Sequence, residues 1–243
     1  MTQHPNNSTH TQFTVEQQIL HRLLLHSSTN QATGLYHGKT GLILCLMHYA
    51  EQTQKWYYET IAGELIKELT GEIHSGLPGG FASGLSGIGW GIEYLIQNGF
   101  MNGNSLDICE TIDKKIMEPD LRRMTDLSLD TGLEGILHYV LAHIKGVLAQ
   151  HGTLPFDETY LSDLYQAVTA IAANEKASEG LKQLAVQYAC FYENRTTPDY
   201  SMSLSLVVEE MEEVTEEKLG FYPLGLKKGL AGYLLKQCLE ERK

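Results

Sequence analysis

Residues 132–148 read GLEGILHYVLAHIKGVL, in which two glycines three positions apart are followed by a mostly apolar segment. An α-helix turns once in about 3.6 residues, so apolar residues spaced by three and four lie along one side of it. The residues at this spacing are Leu133, Leu137, Val140, Leu141, Ile144 and Leu148. The stretch therefore predicts a helix that begins at the glycine pair.

The same glycine pair recurs along the chain at a nearly constant interval. The first glycines stand at 38, 84, 132 and 229, so the steps are 46, 48 and 97 residues. The last step is two periods, and a degenerate copy lies inside it, with Gly180 present and Gln183 in place of the second glycine. A fixed period of this length is the signature of a repeat architecture. We predict five repeats, and close packing as the reason for the glycines.

A second helical pattern lies between the copies, so each repeat is predicted to be a pair of helices. Its apolar positions are Val15, Ile19 and Leu23; Ile61, Leu65 and Leu69; Ile112 and Ile116; Leu161, Leu164, Val168 and Ile171; and Leu204, Val208 and Met211. No segment has the alternation of a strand. The sequence thus predicts an all-α protein of ten helices in five pairs.

The pattern of charge separates the two helices of each pair. Those that follow the glycines are apolar around much of their circumference, as in residues 42–47 (LILCLM), which favours burial on both sides. The other helices carry more charge and suit an outer ring. Stacked pairs can form an open solenoid or a ring. We predict an α/α toroid, or a partly open ring, of about five pairs over residues 13–243, after a disordered tail at 1–12.

Composition excludes several functions. The net charge of −12 disfavours a nucleic-acid binder, and no apolar stretch approaches the length that spans a bilayer. The acidic run at 209–217 is interpreted as a solvated helix face, with a dock for a basic partner as the alternative. The cysteines lie far apart and are predicted to be free thiols: Cys45, Cys109, Cys190 and Cys238. We expect a cytoplasmic protein.

With its Gly-Leu-x-Gly repeats at the starts of inner helices, the chain resembles the lanthionine synthetase C-like family over most of residues 13–243. The resemblance implies an α/α toroid, although family members carry more helix pairs. It also implies a role in peptide modification. Members cyclise dehydrated peptides by adding a cysteine thiol to a dehydroamino acid, with a zinc ion that activates the thiol.

The zinc ligands that the resemblance implies are largely missing. The family holds the metal with a cysteine in a Trp-Cys loop and with a Cys-His pair before a repeat glycine. Here His37 precedes Gly38, but Tyr36 stands where the motif has cysteine, and Trp56 and Trp90 have no neighbouring cysteine. One histidine does not make a zinc site. We therefore predict no cofactor, no tightly bound stoichiometric zinc and no zinc-dependent cyclase activity; one zinc retained per chain would mean that ligands come from elsewhere in the chain.

Candidate binding residues precede the repeat glycines, because the starts of the inner helices must gather at one end of a ring. The gathered set is Tyr36, His37, Ala82, Ser83, Asp130, Thr131, Ser178, Glu179, Lys227 and Lys228. We predict ligand binding by Tyr36, His37, Asp130, Thr131, Glu179 and Lys228, helped by the positive potential of the helix N-termini. The catalytic candidates are His37, Asp130 and Glu179.

Each candidate also has an ordinary structural interpretation. His37 can be a surface or capping group, and Asp130, Ser178 and Glu179 can be helix N-caps. Two further histidines, His48 and His138, fall within inner helices and are interpreted as core-lining groups. The paired lysines at 227 and 228 are interpreted as ordinary solvent-facing charges.

Three functions fit these observations. The first is binding of a peptide, or an accessory role in maturing a ribosomally made peptide, with a precursor peptide and a peptide-modifying enzyme as partners and with neither nucleic acid nor membrane involved. The second is a carboxylate enzyme such as a glycoside hydrolase, in which Asp130 works with Glu134 or Glu179. The third is a helical-repeat interaction scaffold, which an open solenoid would indicate.

Overall fold

The computed structural model describes residues 13–27, 29, 31–171, 173–209, 211 and 214–241. In this part of the chain it has nine α-helices, three short 3-10 helices and no strand. The α-helices are α1 (Val15–Ser27), α2 (Lys39–Thr53), α3 (Trp56–Glu72), α4 (Leu85–Gln97), α5 (Ser105–Ile116), α6 (Leu133–Ala149), α7 (Glu158–Ile171), α8 (Glu179–Asn194) and α9 (Leu230–Glu240). The all-α prediction is confirmed. The predicted disordered tail, 1–12, lies outside the described residues.

The helices that follow the repeat glycines form the inner layer. Along this layer α9 packs on α2, α2 on α4, α4 on α6, and α6 on α8. The remaining helices lie outside, where α3 packs on α2, α5 on α4 and α6, and α7 on α8. The outer helices bury one stripe, whereas α2 and α4 bury almost their whole length. The predicted α/α toroid is therefore confirmed.

Between α8 and α9, the described residues of 195–229 form no α-helix. Tyr200 in this segment is buried, and its hydroxyl lies 2.9 Å from Trp90 Nε1 and 2.8 Å from His138 Nδ1. Those partners belong to α4 and α6. The Lys145 ammonium donates a hydrogen bond to the Tyr200 carbonyl oxygen. The segment thus packs a buried aromatic side chain against the two neighbouring inner helices α4 and α6.

The predicted outer helix around Leu204 and Met211 is wrong. The described part of the segment has only two 3-10 helices, Leu204–Leu206 and Glu216–Phe221, and several of the acidic residues between them lie outside the described residues. Leu204 and Val207 are buried three positions apart, a spacing that one 3-10 turn satisfies. The sequence that follows is crowded with glutamates, and like charges one turn apart destabilise a helix.

The second glycine of each pair lies under its own preceding loop. A Cβ at Gly135 would overlap the carbonyl oxygen of Leu129 and would also meet the Phe81 side chain of the previous repeat. Gly87 has the same relation to the Phe81 carbonyl oxygen and to Leu35. The predicted close packing is therefore present both within a repeat and between neighbouring repeats.

The fourth repeat has no second glycine because its helix begins differently. There Ser178 is the N-cap of α8, and its hydroxyl accepts a hydrogen bond from Leu181 N at 2.9 Å. A side-chain cap of this kind satisfies a first-turn N–H group, so no loop has to fold back over the helix.

Candidate functional site

The loops that precede the inner helices are joined in series at one end of the ring, which we call the mouth. Leu226 N donates to Tyr36 O at 2.6 Å, Tyr36 N donates to Ala82 O at 2.9 Å, and Ala82 N donates to Asp130 O at 3.0 Å. The residues two positions before the glycines of the first three repeats, Tyr36, Ala82 and Asp130, are therefore neighbours, as the repeat predicted. Leu226, three positions before Gly229, joins them.

Carbonyl oxygens of these loops accept hydrogen bonds from the first backbone N–H groups of four inner helices. The bonds are Lys39 N to Ala32 O at 2.8 Å, Leu85 N to Pro78 O at 2.8 Å, Leu133 N to Asp126 O at 3.0 Å and Leu230 N to Pro223 O at 2.8 Å. These donors are satisfied by the protein and do not point at a ligand. The helix N-termini consequently offer less to an anion than the sequence led us to expect, and recognition at the mouth falls to side chains.

The side chains of Tyr36, Asp130 and Lys227 meet at the mouth. Lys227 Nζ lies 3.4 Å from Asp130 Oδ1 and 4.6 Å from the centroid of the Tyr36 ring, a cation–π distance. Tyr36 is buried, and its hydroxyl has no hydrogen-bond partner of good geometry among the described residues. Burial first, and then the negative charge of Asp130, raise the pKa of Tyr36. The tyrosine is therefore a neutral hydrogen-bond donor at neutral pH.

Glu209 adds a second carboxylate to this group. It lies 3.3 Å from Lys227 Nζ and 3.2 Å from Lys228 Nζ, and both lysines lower the pKa of Glu209 against the opposing effect of desolvation. The interpretation of the lysine pair as ordinary solvent-facing charges is thus wrong for Lys227. Sequence reasoning missed Glu209 because it stands inside the acidic run, 18 positions before Lys227. Only the path of the irregular segment brings them together.

His37 faces another surface. It is exposed and lines a cleft with Glu72, His74 and Ser83, whereas Asp130 does not line that cleft. The structure therefore does not bring the catalytic candidates His37 and Asp130 into one cleft, although Tyr36 stands next to His37 in the chain.

The other predicted binding residues make local contacts. Thr131 Oγ1 donates to Asp126 Oδ2 at 2.6 Å, within its own loop. Glu179 is exposed at the first position of α8 and forms no hydrogen bond or ion pair with Tyr36 or Asp130 in the described ranges. Neither residue contributes to the group formed by Tyr36, Asp130 and Lys227.

The N-cap interpretation holds for one of its three residues. Ser178 caps α8, and it also donates a hydrogen bond to Glu134 Oε2 at 2.9 Å. Glu179 follows that cap as the first helical residue. For Asp130 the interpretation is wrong, because Gly132 is the N-cap of α6 and the Asp130 side chain turns to Lys227.

The two histidines within inner helices face the ring interior, as predicted. His48 Nε2 lies 2.9 Å from the Tyr94 hydroxyl, and His138 Nδ1 lies 2.8 Å from the Tyr200 hydroxyl. Burial lowers the pKa of His138 to about 4, so its imidazole is neutral at neutral pH. A neutral ring nitrogen can accept the Tyr200 proton while that oxygen accepts from Trp90.

The residues at the family's zinc position do not fit a zinc ion. Tyr36 offers a phenol whose pKa is raised, where a thiolate would be needed. Trp56 is exposed at the start of α3, Trp90 is buried in α4, and all four cysteines lie within helices. Among the described residues, no group of metal-ligand spacing includes His37. Zinc-dependent thioether formation at the mouth therefore has no support in this chain.

Comparison with known families gives a match where the repeats lie. The family described as lanthionine synthetase C-like protein matches residues 30–192, which is more than half of the chain and runs from before α2 into α8. Searches against curated proteins and against solved structures found no match. No helix in the described ranges combines the length and apolarity needed to cross a membrane. On its repeats, its toroid and this match, the chain belongs to the lanthionine synthetase C-like family.

Proposed function

We propose that this chain binds a peptide at the mouth and acts as an accessory protein in the maturation of a ribosomally made peptide in the cytoplasm. Membership of the lanthionine synthetase C-like family supports a peptide as the ligand. The proposed location of the binding site rests on the group of Tyr36, Asp130 and Lys227, in which a buried hydroxyl lies beside a half-exposed ion pair. The partners are a precursor peptide and an enzyme that modifies it.

The ion pair at the mouth can exchange its partner for a ligand at small cost. The Asp130 side chain is 48% exposed and that of Lys227 is 29% exposed, so water already solvates part of both groups. An exposed pair of this kind contributes about 0–1 kcal/mol. A peptide amine or backbone N–H can therefore replace the lysine beside Asp130, and a peptide carboxylate or carbonyl oxygen can bind Lys227 and the Tyr36 hydroxyl.

The two other functions have weaker support. Asp130 is paired with Lys227, and Glu134 accepts a hydrogen bond from Ser178, so both carboxylates already have protein partners. A helical-repeat scaffold would be indicated by an open solenoid, whereas this chain has the α/α toroid of its family.

Fluorescence anisotropy with a labelled synthetic peptide tests the proposal. The probe is a Ser-, Thr- and Cys-containing peptide with a free carboxyl terminus, taken from the precursor gene nearest to this gene. We expect Asp130→Ala and Lys227→Ala each to weaken binding about tenfold, which is about 1.4 kcal/mol. Glu110→Ala is the matched control, because Glu110 forms an exposed pair with Lys114 on α5 at 2.6 Å, away from the mouth. Equal binding by the wild type and all three variants would refute peptide binding at the mouth.

A further inference from the structure

A buried polar cluster lies between α4, α5 and α6, on the outer side of the inner ring. Its members are Glu93, Ser105, Cys109, Asp113, Tyr139 and His143, and all of them are buried. The His143 ring is held at both nitrogens, with Nδ1 at 2.6 Å from Glu93 Oε1 and Nε2 at 3.1 Å from Asp113 Oδ2. Polar groups so deep in an apolar core are costly unless they are fully paired. Here the groups pair with one another, so the cluster is a connected polar network inside the core.

Three of its members present metal-ligating atoms to one point. An oxygen of Glu93, the sulfur of Cys109 and a ring nitrogen of His143 all lie within 4.8 Å of one another. Ser105 Oγ is 3.0 Å from His143 Nδ1 and donates a hydrogen bond to Glu93 Oε1, so it is the nearest further oxygen. A set of nitrogen, sulfur and oxygen donors suits zinc, which takes four ligands in structural sites.

Asp113 has the position of an outer partner. It contacts His143 Nε2, the ring nitrogen that faces away from Glu93, and it accepts a hydrogen bond from the Tyr139 hydroxyl at 2.6 Å. Histidines that bind metals almost always donate their other N–H group to a carboxylate or carbonyl, which fixes the ring. The cluster has this arrangement before any ion is added.

The charge of the cluster favours a cation. It contains two carboxylates and one imidazole, so even with the imidazole protonated the formal sum is −2 + 1 = −1. Neither carboxylate forms an ion pair with a lysine or arginine in the described part of the chain. A divalent ion in place of the imidazole proton and of the Cys109 thiol proton again leaves a formal sum of −1, because its two positive charges offset the thiolate and one of the two carboxylates. The Cys109 thiolate then binds the ion directly and is not buried as a free charge.

Two glycines outside the repeat pairs make room for the cluster. A Cβ at Gly146 in α6 would overlap Glu93 Oε2, and a Cβ at Gly89 in α4 would overlap the Tyr139 ring. A glycine inside a helix costs about 1 kcal/mol relative to alanine. Both α4 and α6 have a glycine, with its lower helix propensity, at the position where a side chain would overlap the cluster. We infer that the two helices are adapted to the cluster.

We propose that Glu93, Cys109 and His143 form a structural site for a divalent transition metal, with zinc as the best fit and Ser105 as the nearest fourth ligand. All four residues are buried, as in a closed structural metal site. It joins α5 of the outer ring to α4 and α6 of the inner ring. It shares no residue with the family's zinc motif, which falls at Tyr36 and His37 in this sequence.

Metal analysis and cobalt substitution test the site on the full chain. We expect protein purified without added metal and without a histidine tag to retain one zinc per chain. After unfolding with a chelator and refolding with Co²⁺, it should show the near-ultraviolet absorption of a cobalt–thiolate bond. Cys109→Ser should abolish that absorption and lower the zinc content at least tenfold.

The controls separate this site from other sources of metal. Cys45→Ser changes another buried cysteine, in α2, and His37→Ala removes the remnant of the family motif; both variants should keep the metal. Circular dichroism checks that each variant folds. Wild-type protein that folds but neither retains zinc nor takes up Co²⁺ would overturn the proposal, and this result does not depend on any variant. Loss of metal in His37→Ala with retention in Cys109→Ser would overturn it as well.

Discussion

Replacement of Gly135 by alanine should destabilise the protein although alanine is the better helix former. In α6 the added Cβ would overlap the carbonyl oxygen of Leu129 and would lie 2.5 Å from Phe81 Cβ. Overpacking of this kind costs about 1–3 kcal/mol, whereas helix propensity returns about 1 kcal/mol. The loop must also move, and it carries the Asp130 carbonyl oxygen that accepts from Phe81 N at 2.9 Å. Because the overlap involves the backbone oxygen of Leu129, we expect a cost in the upper part of that range, about 2–3 kcal/mol, and so a net loss of about 1–2 kcal/mol. The loss should be larger for Gly135→Leu.

Urea unfolding of Gly135→Ala beside Gly63→Ala gives the sharpest measurement. Gly63 is also inside a helix, α3, but a Cβ there has open space. Gly63→Ala should therefore raise the free energy of unfolding by about 0.4–1 kcal/mol. Opposite shifts of the two midpoints would confirm that the repeat glycine is required by the loop above it. If Gly135→Ala were as stable as wild type or more stable, the packing argument would be refuted.

Three further predictions concern the ring interior and the mouth. Tyr200→Phe removes the hydroxyl between Trp90 Nε1 and His138 Nδ1 and should cost about 1–3 kcal/mol in urea unfolding, because two buried groups lose their partner. The pKa of His138 is about 4 when folded against an ordinary value near 6.5, so the unfolded chain binds more protons between these values. Stability should fall as the pH drops through that window, and His138→Gln should reduce the fall. Asp130→Ala and His37→Ala should each change the unfolding free energy by no more than about 0.5 kcal/mol, while Asp130→Ala weakens peptide binding in the anisotropy assay.

The repeat could be predicted from the sequence because its signals are local. A glycine pair and the apolar stripe after it lie within 17 residues, as at 132–148, and a helix follows from that spacing. The inner and outer layers followed from how much of each helix is apolar. The same reasoning failed between α8 and α9, where Leu204, Val208 and Met211 have helical spacing in the sequence but the described residues among 204–211 have only a 3-10 turn, Leu204–Leu206.

The contacts at the mouth could be predicted only in part. The repeat correctly placed Tyr36 and Asp130 at one end of the ring, since equivalent positions must gather there. It could not assign Glu209, which reaches Lys227 through an irregular segment. It also could not show that the loop carbonyl oxygens occupy the first-turn N–H groups of the inner helices, because that depends on how each loop folds back.

The buried cluster left a signal in the sequence that could have been used. Glu93 is the one charged residue in α4, whose other positions are apolar, small or uncharged polar groups, and His143 stands on the apolar α6. A lone charge in a fully buried helix requires a partner, so the pattern predicts a polar contact. The identity of the partner depends on the packing of three helices. Asp113 and Cys109 come from the stripe of α5, which periodicity alone identifies only as its buried side.

The packing of Tyr200 against α4 and α6 limits where a peptide can bind. Trp90 is fully buried and Tyr200 nearly so, and the hydroxyl of Tyr200 bridges the neighbouring helices α4 and α6. A ligand that entered between these helices would have to displace that side chain and leave the Trp90 and His138 nitrogens without that partner, at a cost of about 1–3 kcal/mol. Binding at the mouth requires only the exchange of a half-exposed ion pair. The peptide should therefore lie across the loops that hold Tyr36 and Asp130, with its length outside the ring.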